Sequence, residues 1–461
     1  MPEDTICALA TPNGVSALGV IRVSGKETLS VVQKSFPSKD LKKQKSHTIH
    51  YGYFVEGTEI IDEVMLSLFF APKSFTTEDS VEISFHGSPH VAGRILEILI
   101  KNGARIAKAG EFTLRAFLNG RIDLSQAEAI ADVISSENEV SRKMAIRQLK
   151  GGITREIALL RRDLLNFISL VELELDFSEE DVEFADRAAI RRLIDKIEGK
   201  ILSLIDSFRY GNAVKNGTLV AIIGRPNAGK STLLNTLLKE ERAIVSSIAG
   251  TTRDTIEELL DIKGHAFRLI DTAGLRETSD EIEAIGVKKA KEKVERANIL
   301  IYLVDVNTID FSVDIEMLSS LLRKDIRIIV CATKTDGVSF SQSAFVEELF
   351  RKNISHDFSF IALSALENKN IDELIYELSS YVEKLKSEEN TTVITNKRHY
   401  EALQKSLDAI NKVKDALSSH IFTELLAYEL RQVLEYLGEI SGEVTNDEIL
   451  GNIFSKFCIG K

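Results

Sequence analysis

The chain contains 461 residues, of which 44% are apolar and 28% are charged, as in a globular protein of two to four domains. Its formal net charge of −12 argues against a protein that coats nucleic acid through its overall field, although a local basic patch for one RNA stays open. No apolar run approaches the roughly 20 residues that span a bilayer, and the acidic start does not resemble a secretory signal, so we expect a cytoplasmic protein. The three scattered cysteines predict neither a disulfide framework nor a zinc site, and we expect Cys7 and Cys331 to fill core positions.

Short apolar segments separated by turn signals dominate residues 1–120. Pro12, Asn13 and Gly14 form such a signal between the first two segments. A further segment, Val91–Lys101, has the spacing of a helix, so we predict an α+β domain over this range. The predicted strands are Thr5–Ala10, Ala17–Val23, Glu59–Phe70 and Ser80–Phe85.

Long amphipathic helices are predicted on both sides of a central α/β segment. Apolar residues recur at spacings of three and four over 124–209, and a second helical stretch follows over 399–457. The stretches Gly211–Gly217 and Lys386–Thr395 are predicted to be the breaks that bound the central segment. We expect one discontinuous helical domain, 121–212 plus 380–461, with a domain of residues 217–378 inserted in it; two separate helical domains are the alternative. The residues that carry the helical spacing are Ala127, Ile130, Ala131, Ile134, Leu159, Leu160, Leu164 and Leu165.

The central segment opens with a strand, a glycine-rich loop and a helix. The strand Thr218–Ile223 leads into Gly224–Ser231, which reads GxxxxGKS, and Thr232–Leu238 has a helical pattern. Backbone N–H groups of such a loop enclose phosphates, and the dipole of the helix favours them. We expect Lys230 to reach the β- and γ-phosphates and Ser231 to ligate Mg²⁺. The residues predicted to line this cradle are Asn227, Ala228, Gly229, Lys230, Ser231 and Thr232.

Further motifs follow in the order that a Ras-like GTPase requires. Gly250–Asp254 lies in a loop that can fold over the nucleotide, and its Thr252 is the expected second Mg²⁺ ligand. The predicted strand Phe267–Ile270 delivers Asp271, which supports the metal, and Gly274, which can sense the γ-phosphate. The residues predicted to contact nucleotide in these two motifs are Ser246, Ser247, Ile248, Ala249, Gly250, Thr251, Thr252, Asp271, Thr272, Ala273 and Gly274.

Two predicted strands end in motifs that select the base: Ile326–Val330, which should be buried on both faces, and Phe358–Leu363. The Asp336 carboxylate can accept from guanine N1–H and from its exocyclic amine, and adenine offers no such pair of donors. The Ala365 N–H can donate to guanine O6. Thr333 stands where asparagine is usual, and because a hydroxyl lacks the reach of an amide we expect reduced affinity with guanine selectivity retained. The residues predicted here are Thr333, Lys334, Asp336, Ser364, Ala365 and Leu366, and the run Ile299–Val304 is a further buried strand.

The glutamine that orients the attacking water in Ras-like enzymes is absent. Its position is Leu275, which cannot hydrogen-bond to water, so either the domain is a slow binding switch or catalytic groups come from elsewhere. The side-chain oxygen of Asn227 and the carbonyls of 246–251 can close around K⁺, which would neutralise developing charge. Glu283 can position water, although on the sequence alone it is more typical of a solvated acidic face.

Several motifs outside the nucleotide site are equally specific. They are Thr5–Ile6, Ala10–Gly14, Gly19–Gly25, Gly110–Phe112, Arg115–Asn119, Gly442–Thr445 and Phe457–Lys461. Together with Gly224–Ser231, Gly250–Asp254 and Asp271–Arg276, they make the chain resemble, from end to end, the MnmE (TrmE) family of bacterial tRNA-modifying GTPases.

The resemblance implies a fold class and a reaction. The fold is multidomain α/β and α+β, with an N-terminal folate-binding and dimerisation domain at 1–120 and a Ras-like P-loop G domain inserted in the discontinuous helical domain. The family works as a homodimer with the FAD-binding protein MnmG, as a heterotetramer, and adds an aminomethyl-type group such as carboxymethylaminomethyl at C5 of the wobble uridine, U34, of certain tRNAs. A tetrahydrofolate derivative, 5-formyl- or 5,10-methylene-tetrahydrofolate, supplies the carbon. GTP hydrolysis depends on K⁺ and on the meeting of two G domains.

The resemblance also assigns ligands for K⁺ and for folate. It gives K⁺ to Asn227, Ser246, Ile248 and Thr251, and it makes Glu283 the residue that arranges the water. For folate it assigns tail carboxylates to Arg22 and Arg121, the pterin edge to Glu82, and a further contact to Lys461. Without the resemblance, Arg22 reads as a surface arginine on a strand.

Cys458 is ambiguous on the sequence alone, where a lone thiol reads as an accidental surface cysteine. The resemblance makes it a candidate nucleophile or acid in the modification chemistry, and Lys456 or Lys461 can lower its pKa. No GxGxxG flavin fingerprint opens a βαβ unit, so FAD is expected on the partner.

Two rival hypotheses stay open. The first is a regulatory GTPase for ribosome or RNA assembly, which would need neither the N-terminal domain nor the Cys-Ile-Gly-Lys terminus. The second is a folate-dependent one-carbon transferase with a GTP-gated lid, which differs from the tRNA-modifying enzyme mainly in its substrate.

Overall fold

The structure is a computed structural model, and it describes residues 4–176, 187–240, 258–270, 291–292, 294–386, 392–418, 423–444, 447–455, 457 and 460. These residues form two compact units. One comprises 1–134, 146–194 and 408–461, and the other comprises 135–145 and 195–407. Within the described ranges, no helix is both long enough and apolar enough to cross a membrane.

The helices occur in four groups along the chain. The first contains α1 (Thr28–Gln33), α2 (Pro89–Lys101) and α3 (Glu111–Leu118). The second contains α4 (Leu124–Ser135), α5 (Glu139–Leu149), α6 (Gly152–Asp176) and α7 (Arg187–Asn216). The third contains α8 (Lys230–Glu240), α9 (Ser312–Ser320), α10 (Phe340–Asn353) and α11 (Ile371–Lys384). The last contains α12 (Lys397–Ser418), α13 (Thr423–Ser441) and α14 (Asp447–Phe454).

A six-stranded sheet forms the centre of the first unit. Its strands are β1 (Ile6–Leu9), β2 (Leu18–Ser24), β3 (Thr48–Glu56), β4 (Glu59–Phe69), β5 (Ser80–His86) and β6 (Arg105–Ile106). Their order is β3-β4-β5-β2-β1-β6, and neighbours are antiparallel except β1 and β6. One face packs with α1 and α2 around a core that includes Cys7, Phe54 and Ile83. The α+β prediction for this region is confirmed.

Strand β3 is missing from the strands predicted from the sequence, because apolar side chains also lie on its exposed face. Ile49, Tyr51 and Tyr53 are exposed, whereas His50 and Phe54 face the core. A half-buried strand is recognised by apolar residues on its buried face, and here they also lie on the other face. Met65, which pairs with Tyr51, extends this exposed apolar surface onto β4. We call Ile49, Tyr51, Tyr53 and Met65 the β3 stripe.

The long helices carry narrower buried stripes than the sequence suggests. In α6, Leu160 and Leu164 are buried and Leu159 and Leu165 are exposed, so the predicted amphipathic helix is confirmed with a narrow buried face. Adjacent helical residues point about 100° apart, and only one of each leucine pair can face the core. Ile134, at the end of α4, is likewise exposed. The buried stripe of α6, the helix that packs against α13, also contains Ile153, Ile157, Phe167 and Val171.

The second unit is built on a mostly parallel six-stranded sheet. Its strands are β7 (Thr218–Gly224), β8 (Glu258–Ile262), β9 (His265–Leu269), β10 (Ile299–Asp305), β11 (Arg327–Thr333) and β12 (Phe358–Ala362). Their order is β12-β11-β10-β7-β9-β8, and only β8 is antiparallel to its neighbour. A hydrophobic core lies on each face of this sheet. Ile301 of β10 is buried in one core, and the next residue, Tyr302, is buried in the other. The predicted parallel strands, with Cys331 in the core, are therefore confirmed.

The predicted break at Gly211–Gly217 is wrong, because α7 continues to Asn216. Gly211 lies inside the helix, and a Cβ built on it would stand 1.9 Å from the carbonyl oxygen of Ile394. The glycine therefore permits close approach of another backbone segment rather than a turn. That segment is fixed there by a hydrogen bond from the Ile394 N–H to the Ser207 hydroxyl, at 3.0 Å.

Candidate functional site

The glycine-rich loop joins β7 to α8 at the carboxyl edge of the parallel sheet, where open α/β sheets bind ligands. Gly224 packs so closely on β10 that an added Cβ would lie 2.6 Å from the Leu303 carbonyl oxygen. Asn227 and Gly229 adopt positive φ values of 63° and 90°. A non-glycine residue in this region is strained, and such strain concentrates at functional loops. Asn227 is exposed, as a residue that meets a ligand must be.

Lys230 begins α8 and folds back over the loop. Its Nζ donates to the carbonyls of Gly224 and Arg225, each at 2.7 Å. The ammonium group is thus held above the loop, where a phosphate chain would lie. Ser231 and Thr232 are exposed in the first turn of α8, at a helix N-terminus whose dipole favours anions.

Thr333 ties the end of β11 to the glycine-rich loop. Its buried hydroxyl donates to the carbonyl of Ala228 at 2.9 Å and lies 3.2 Å from the carbonyl of Val304. The hydroxyl therefore reaches the loop, and the reduced nucleotide affinity expected from threonine at this position stays a prediction. A Cβ built on Gly229 would lie 3.8 Å from the Thr333 side chain, so this side chain packs directly against the loop.

The residues predicted to read guanine come together at the ends of β11 and β12. The Ser364 hydroxyl donates to Asp336 Oδ1 at 2.7 Å. This hydrogen bond lowers the pKa of Asp336, so the carboxylate is ionised and its second oxygen can accept from a base. Ala365 follows Ser364, and its carbonyl accepts from the Thr236 hydroxyl of α8 at 3.0 Å, while Leu366 is exposed.

Lys334 lies between Thr333, which contacts the loop, and Asp336, the carboxylate predicted to read the base. It has a φ of 61°, and its Nζ is 2.6 Å from Asp305 Oδ2 at the end of β10. Partial burial opposes ionisation of Asp305, but hydrogen bonds from Lys334 and Asn307 outweigh it and lower the pKa of that carboxyl. The ion pair fixes the lysine stem at the edge where the base is expected.

Sequence reasoning missed an ion pair behind the loop. Arg225 Nη1 is 3.6 Å from Asp314 Oδ2 and 3.4 Å from the carbonyl of Asp310. Asp314 is buried in the first turn of α9, and Tyr302 donates to it at 3.3 Å. Burial raises the pKa of Asp314, and the arginine and tyrosine act against that rise. The local sequence pattern does not identify Asp314 as part of a site, because its partners lie on other elements.

Several predicted site residues lie outside the described residues. They are Ser246, Ser247, Ile248, Ala249, Gly250, Thr251, Thr252, Asp271, Thr272, Ala273, Gly274, Glu283, Cys458 and Lys461.

A second cluster of predicted residues lies on the sheet of the first unit. Arg22 of β2 is paired in register with Glu82 of β5, and its Nε and Nη2 donate to Glu82 Oε1 at 3.0 and 2.8 Å. The Arg22 guanidinium also lies over the rings of Phe75 and Phe112, 5.2 and 5.6 Å from their centroids. An ion pair bordered by aromatic rings suits a flat polar ligand.

Arg121 joins this cluster through Phe75. Its guanidinium lies 4.9 Å from the centre of the Phe75 ring, and its Nη1 donates to the Phe75 carbonyl at 2.5 Å. Burial, and then the charge of Arg22, lower the pKa of Arg121 from its ordinary value. The structure therefore brings Arg22, Glu82 and Arg121 together as predicted and adds Phe75, which no sequence pattern singled out.

Comparisons with known proteins extend over the whole chain. A family model described as the MnmE helical domain matches residues 124–458, and one described as the GTP-binding protein TrmE N-terminus matches residues 5–121. Proteins called tRNA modification GTPase MnmE are similar throughout. The one from Flavobacterium psychrophilum is 50% identical over 468 residues, covering 100% of this chain and 99% of that protein. Those from Christiangramia forsetii and Bacteroides thetaiotaomicron are 50% and 48% identical, covering 100% of this chain and 99% and 100% of theirs.

Proposed function

Because the chain belongs to the MnmE family of tRNA modification GTPases, we propose that it hydrolyses GTP to drive the modification of C5 of the wobble uridine, U34, in certain tRNAs. The group added is of the aminomethyl type, such as carboxymethylaminomethyl. A tetrahydrofolate derivative supplies the carbon, and an FAD-dependent protein of the MnmG type acts with it. One observation carries the proposal. The same chain contains Asp336, the carboxylate proposed to read guanine, and the Arg22–Glu82–Arg121 cluster.

GTP and water are the reactants of the GTPase step, and Mg²⁺ is its cofactor. Lys230 and the loop N–H groups would bind the β- and γ-phosphates, and Asp336 would orient the base. Ser231, and Thr252 outside the described residues, would hold Mg²⁺, which supplies charge neutralisation on the phosphates. The fit rests on Ser231, an exposed residue in the first turn of α8 directly after Lys230.

We assign the missing catalytic charge to K⁺ and the water to Glu283. Asn227, Ser246, Ile248 and Thr251 are the proposed K⁺ ligands, and the exposed Asn227 on its strained loop supports the first of them. GTP turnover should be several-fold faster in K⁺ than in Na⁺, because Na⁺ is too small for the same oxygen cage. Asn227→Ala should remove the difference, with Rb⁺, close to K⁺ in size, as the positive control. Equal rates in K⁺ and Na⁺ would withdraw this role from Asn227.

The folate site is proposed at Arg22, Glu82, Arg121 and Lys461. Glu82 Oε2, which receives neither of the two hydrogen bonds from Arg22, can accept from the amidine-like edge of the pterin. Gly460, the neighbour of Lys461, packs against β1: a Cβ built on it would be 2.2 Å from the Leu9 carbonyl oxygen. Since β1 pairs with β2, which carries Arg22, the position of Gly460 on β1 supports the assignment of Lys461 to this site.

The remaining parts of the proposal concern partners and chemistry. We assign homodimerisation to the N-terminal domain, a heterotetramer to the MnmG-type partner, and a role as nucleophile or acid to Cys458. The cytoplasm, where tRNA is modified, is the proposed location. The domain division is proposed as 1–120, 121–212 plus 380–461, and 217–378.

The test is mass spectrometry of wobble nucleosides from a strain that lacks the gene. U34 should lose its C5 group, and the wild-type gene should restore it, whereas Lys230→Ala, which cannot bind phosphates, should not. Unchanged U34 in the deletion strain would contradict the proposal. Altered ribosomal subunit profiles in that strain would then favour a regulatory GTPase of ribosome or RNA assembly.

A further inference from the structure

We propose that Phe75 is a positioning residue of the folate pocket, whose ring and carbonyl hold Arg121 ready for the anionic tail of the ligand. The inference rests on the folate site proposed above and adds a division of labour between its two arginines. It also explains residues of the Arg115–Asn119 motif that the proposed chemistry does not use.

The two arginines differ in how their charges are balanced. Arg22 gives two hydrogen bonds to Glu82, so its charge is already compensated within the sheet. No carboxylate among the described residues lies within ion-pair distance of Arg121, which donates instead to the neutral carbonyl of Phe75. An arginine stays charged at all relevant pH values. Arg121 is therefore the cation of this cluster that can still attract a carboxylate.

Phe75 holds that cation against repulsion. The guanidinium groups of Arg22 and Arg121 lie over the same ring, 5.2 and 4.9 Å from its centroid, and like charges this close repel each other. The negative face of an aromatic ring attracts a guanidinium, more strongly where solvent is excluded. Without the ring, the Arg121 guanidinium would be held by the Phe75 carbonyl alone among the described residues and would be free to move towards water.

The loop that carries Phe75 is itself fixed directly after the ring, at Thr76 and Glu78. Asn119, at the end of α3, donates to the Thr76 carbonyl at 2.7 Å. Arg115, with a side chain that is 1% exposed, contacts both oxygens of Glu78 at 3.2 and 3.3 Å. Ser24 of β2 donates to Glu78 Oε2 at 2.8 Å. These contacts set the position of Phe75 before any ligand arrives, which is what pre-organised binding requires.

Phe75 also packs against a small core of Ile6, Ala8, Ala107 and Phe112, so a purely structural role must be separated from positioning. The two roles differ in their dependence on ligand charge. Loss of core packing would weaken binding of every folate alike. Loss of Arg121 positioning would weaken only ligands whose tail is anionic.

The experiment measures Kd of the full chain for 5-formyltetrahydrofolate and for the same molecule with both glutamate carboxylates converted to amides. For Phe75→Leu we expect Kd for the acid to rise about tenfold and Kd for the diamide to stay within about twofold. Arg121→Gln should show the same selective loss. Phe75→Tyr, which keeps the ring, should retain the preference for the acid, and thermal unfolding of each variant verifies its fold.

The outcomes separate this inference from the function on which it rests. Equal losses for the acid and the diamide in Phe75→Leu, or no loss for either, would overturn the positioning role while leaving the folate site intact. A wild-type chain that binds neither molecule would instead remove the folate site itself, and the positioning role with it. Selective loss for the acid, restored by tyrosine, supports both.

Discussion

At the scale of single residues, the nucleotide site depends on short polar contacts between distant parts of the chain. The Thr333 hydroxyl and the Ala228 carbonyl are 105 positions apart in sequence, and the Ser364 hydroxyl orients Asp336 across 28 positions. A buried hydrogen bond contributes about 1 kcal/mol net, and leaving one partner unpaired costs more. Each of these contacts should therefore be measurable in nucleotide affinity.

Thr333→Val should weaken GTP binding about tenfold, because the buried Ala228 carbonyl loses its donor while side-chain shape is kept. Thr333→Ser, which retains the hydroxyl, is the matched control and should stay close to wild type. Calorimetric titration with GTP measures both. Equal affinity of the valine variant and the wild type would show that the tether does not support the loop.

Asp336→Asn should weaken GTP binding about 10- to 100-fold and weaken xanthosine triphosphate binding less, or improve it. The change exchanges an acceptor for a donor, which matches the oxygen that xanthine carries in place of the guanine amine. Competition between the two nucleotides gives the preference directly. An unchanged preference would contradict the guanine assignment.

The same carboxylate predicts how guanine binding depends on pH. The Ser364 hydrogen bond lowers the pKa of Asp336 below its ordinary value of 3.8. The carboxylate is therefore charged at every pH above that value, and its charge is lost only as the pH falls through the lowered pKa. Asp336 does not titrate between neutrality and about pH 5, so it should cause no change in GTP affinity over this range. Ser364→Ala should move the acid limit upwards, and an unmoved limit would show that the hydroxyl does not set it.

At the scale of elements, helix α7 shows how one residue decides where a helix passes. Gly211 would end a helix by its propensity, yet the chain remains helical because another backbone segment packs where a side chain would stand. Propensity is a local preference of less than about 1 kcal/mol, and tertiary packing overrides it.

Gly211→Ala should destabilise the protein by about 1–3 kcal/mol, because the new methyl group meets the Ile394 carbonyl. Gly199→Ala in the same helix is the matched control. No atom lies within 4 Å of a Cβ built there, so alanine should stabilise by about 0.5–1 kcal/mol. Urea unfolding of both variants tests the pair, and a neutral or stabilising effect at position 211 would refute the close contact.

At the scale of the whole molecule, the β3 stripe is an exposed apolar surface on a sheet that also carries the proposed folate cluster. Exposed apolar patches of this kind are typical of association surfaces. The register places Tyr51 beside Met65, and Met65 beside Ser84 of β5, two residues along from Glu82. A second copy of the chain that covered the stripe would therefore also approach the cluster.

Ile49→Asp combined with Tyr51→Asp should convert a homodimer into a monomer, because two buried charges at an interface without partners cost several kcal/mol. The control is Phe345→Asp, an exposed aromatic position on α10. Sedimentation analysis should find twice the chain mass of 51.3 kDa for wild type and control, and the single mass for the double variant. A double variant that remains dimeric would assign dimerisation to another surface.

The sequence by itself determined the order of strands, loops and helices around the nucleotide site. GxxxxGKS follows a buried strand, and Asp336 follows another, because periodicity and loop chemistry are local properties of the chain. Tertiary structure decided which side chains meet: strand register pairs Arg22 with Glu82, and packing brings Phe75 under Arg121, Thr333 against Ala228, and Asp314 behind Arg225. It also decided that β3 is a strand with an apolar outer face and that α7 passes through Gly211. These outcomes depend on neighbours remote in sequence, and the free energy of their contacts appears only when the elements pack.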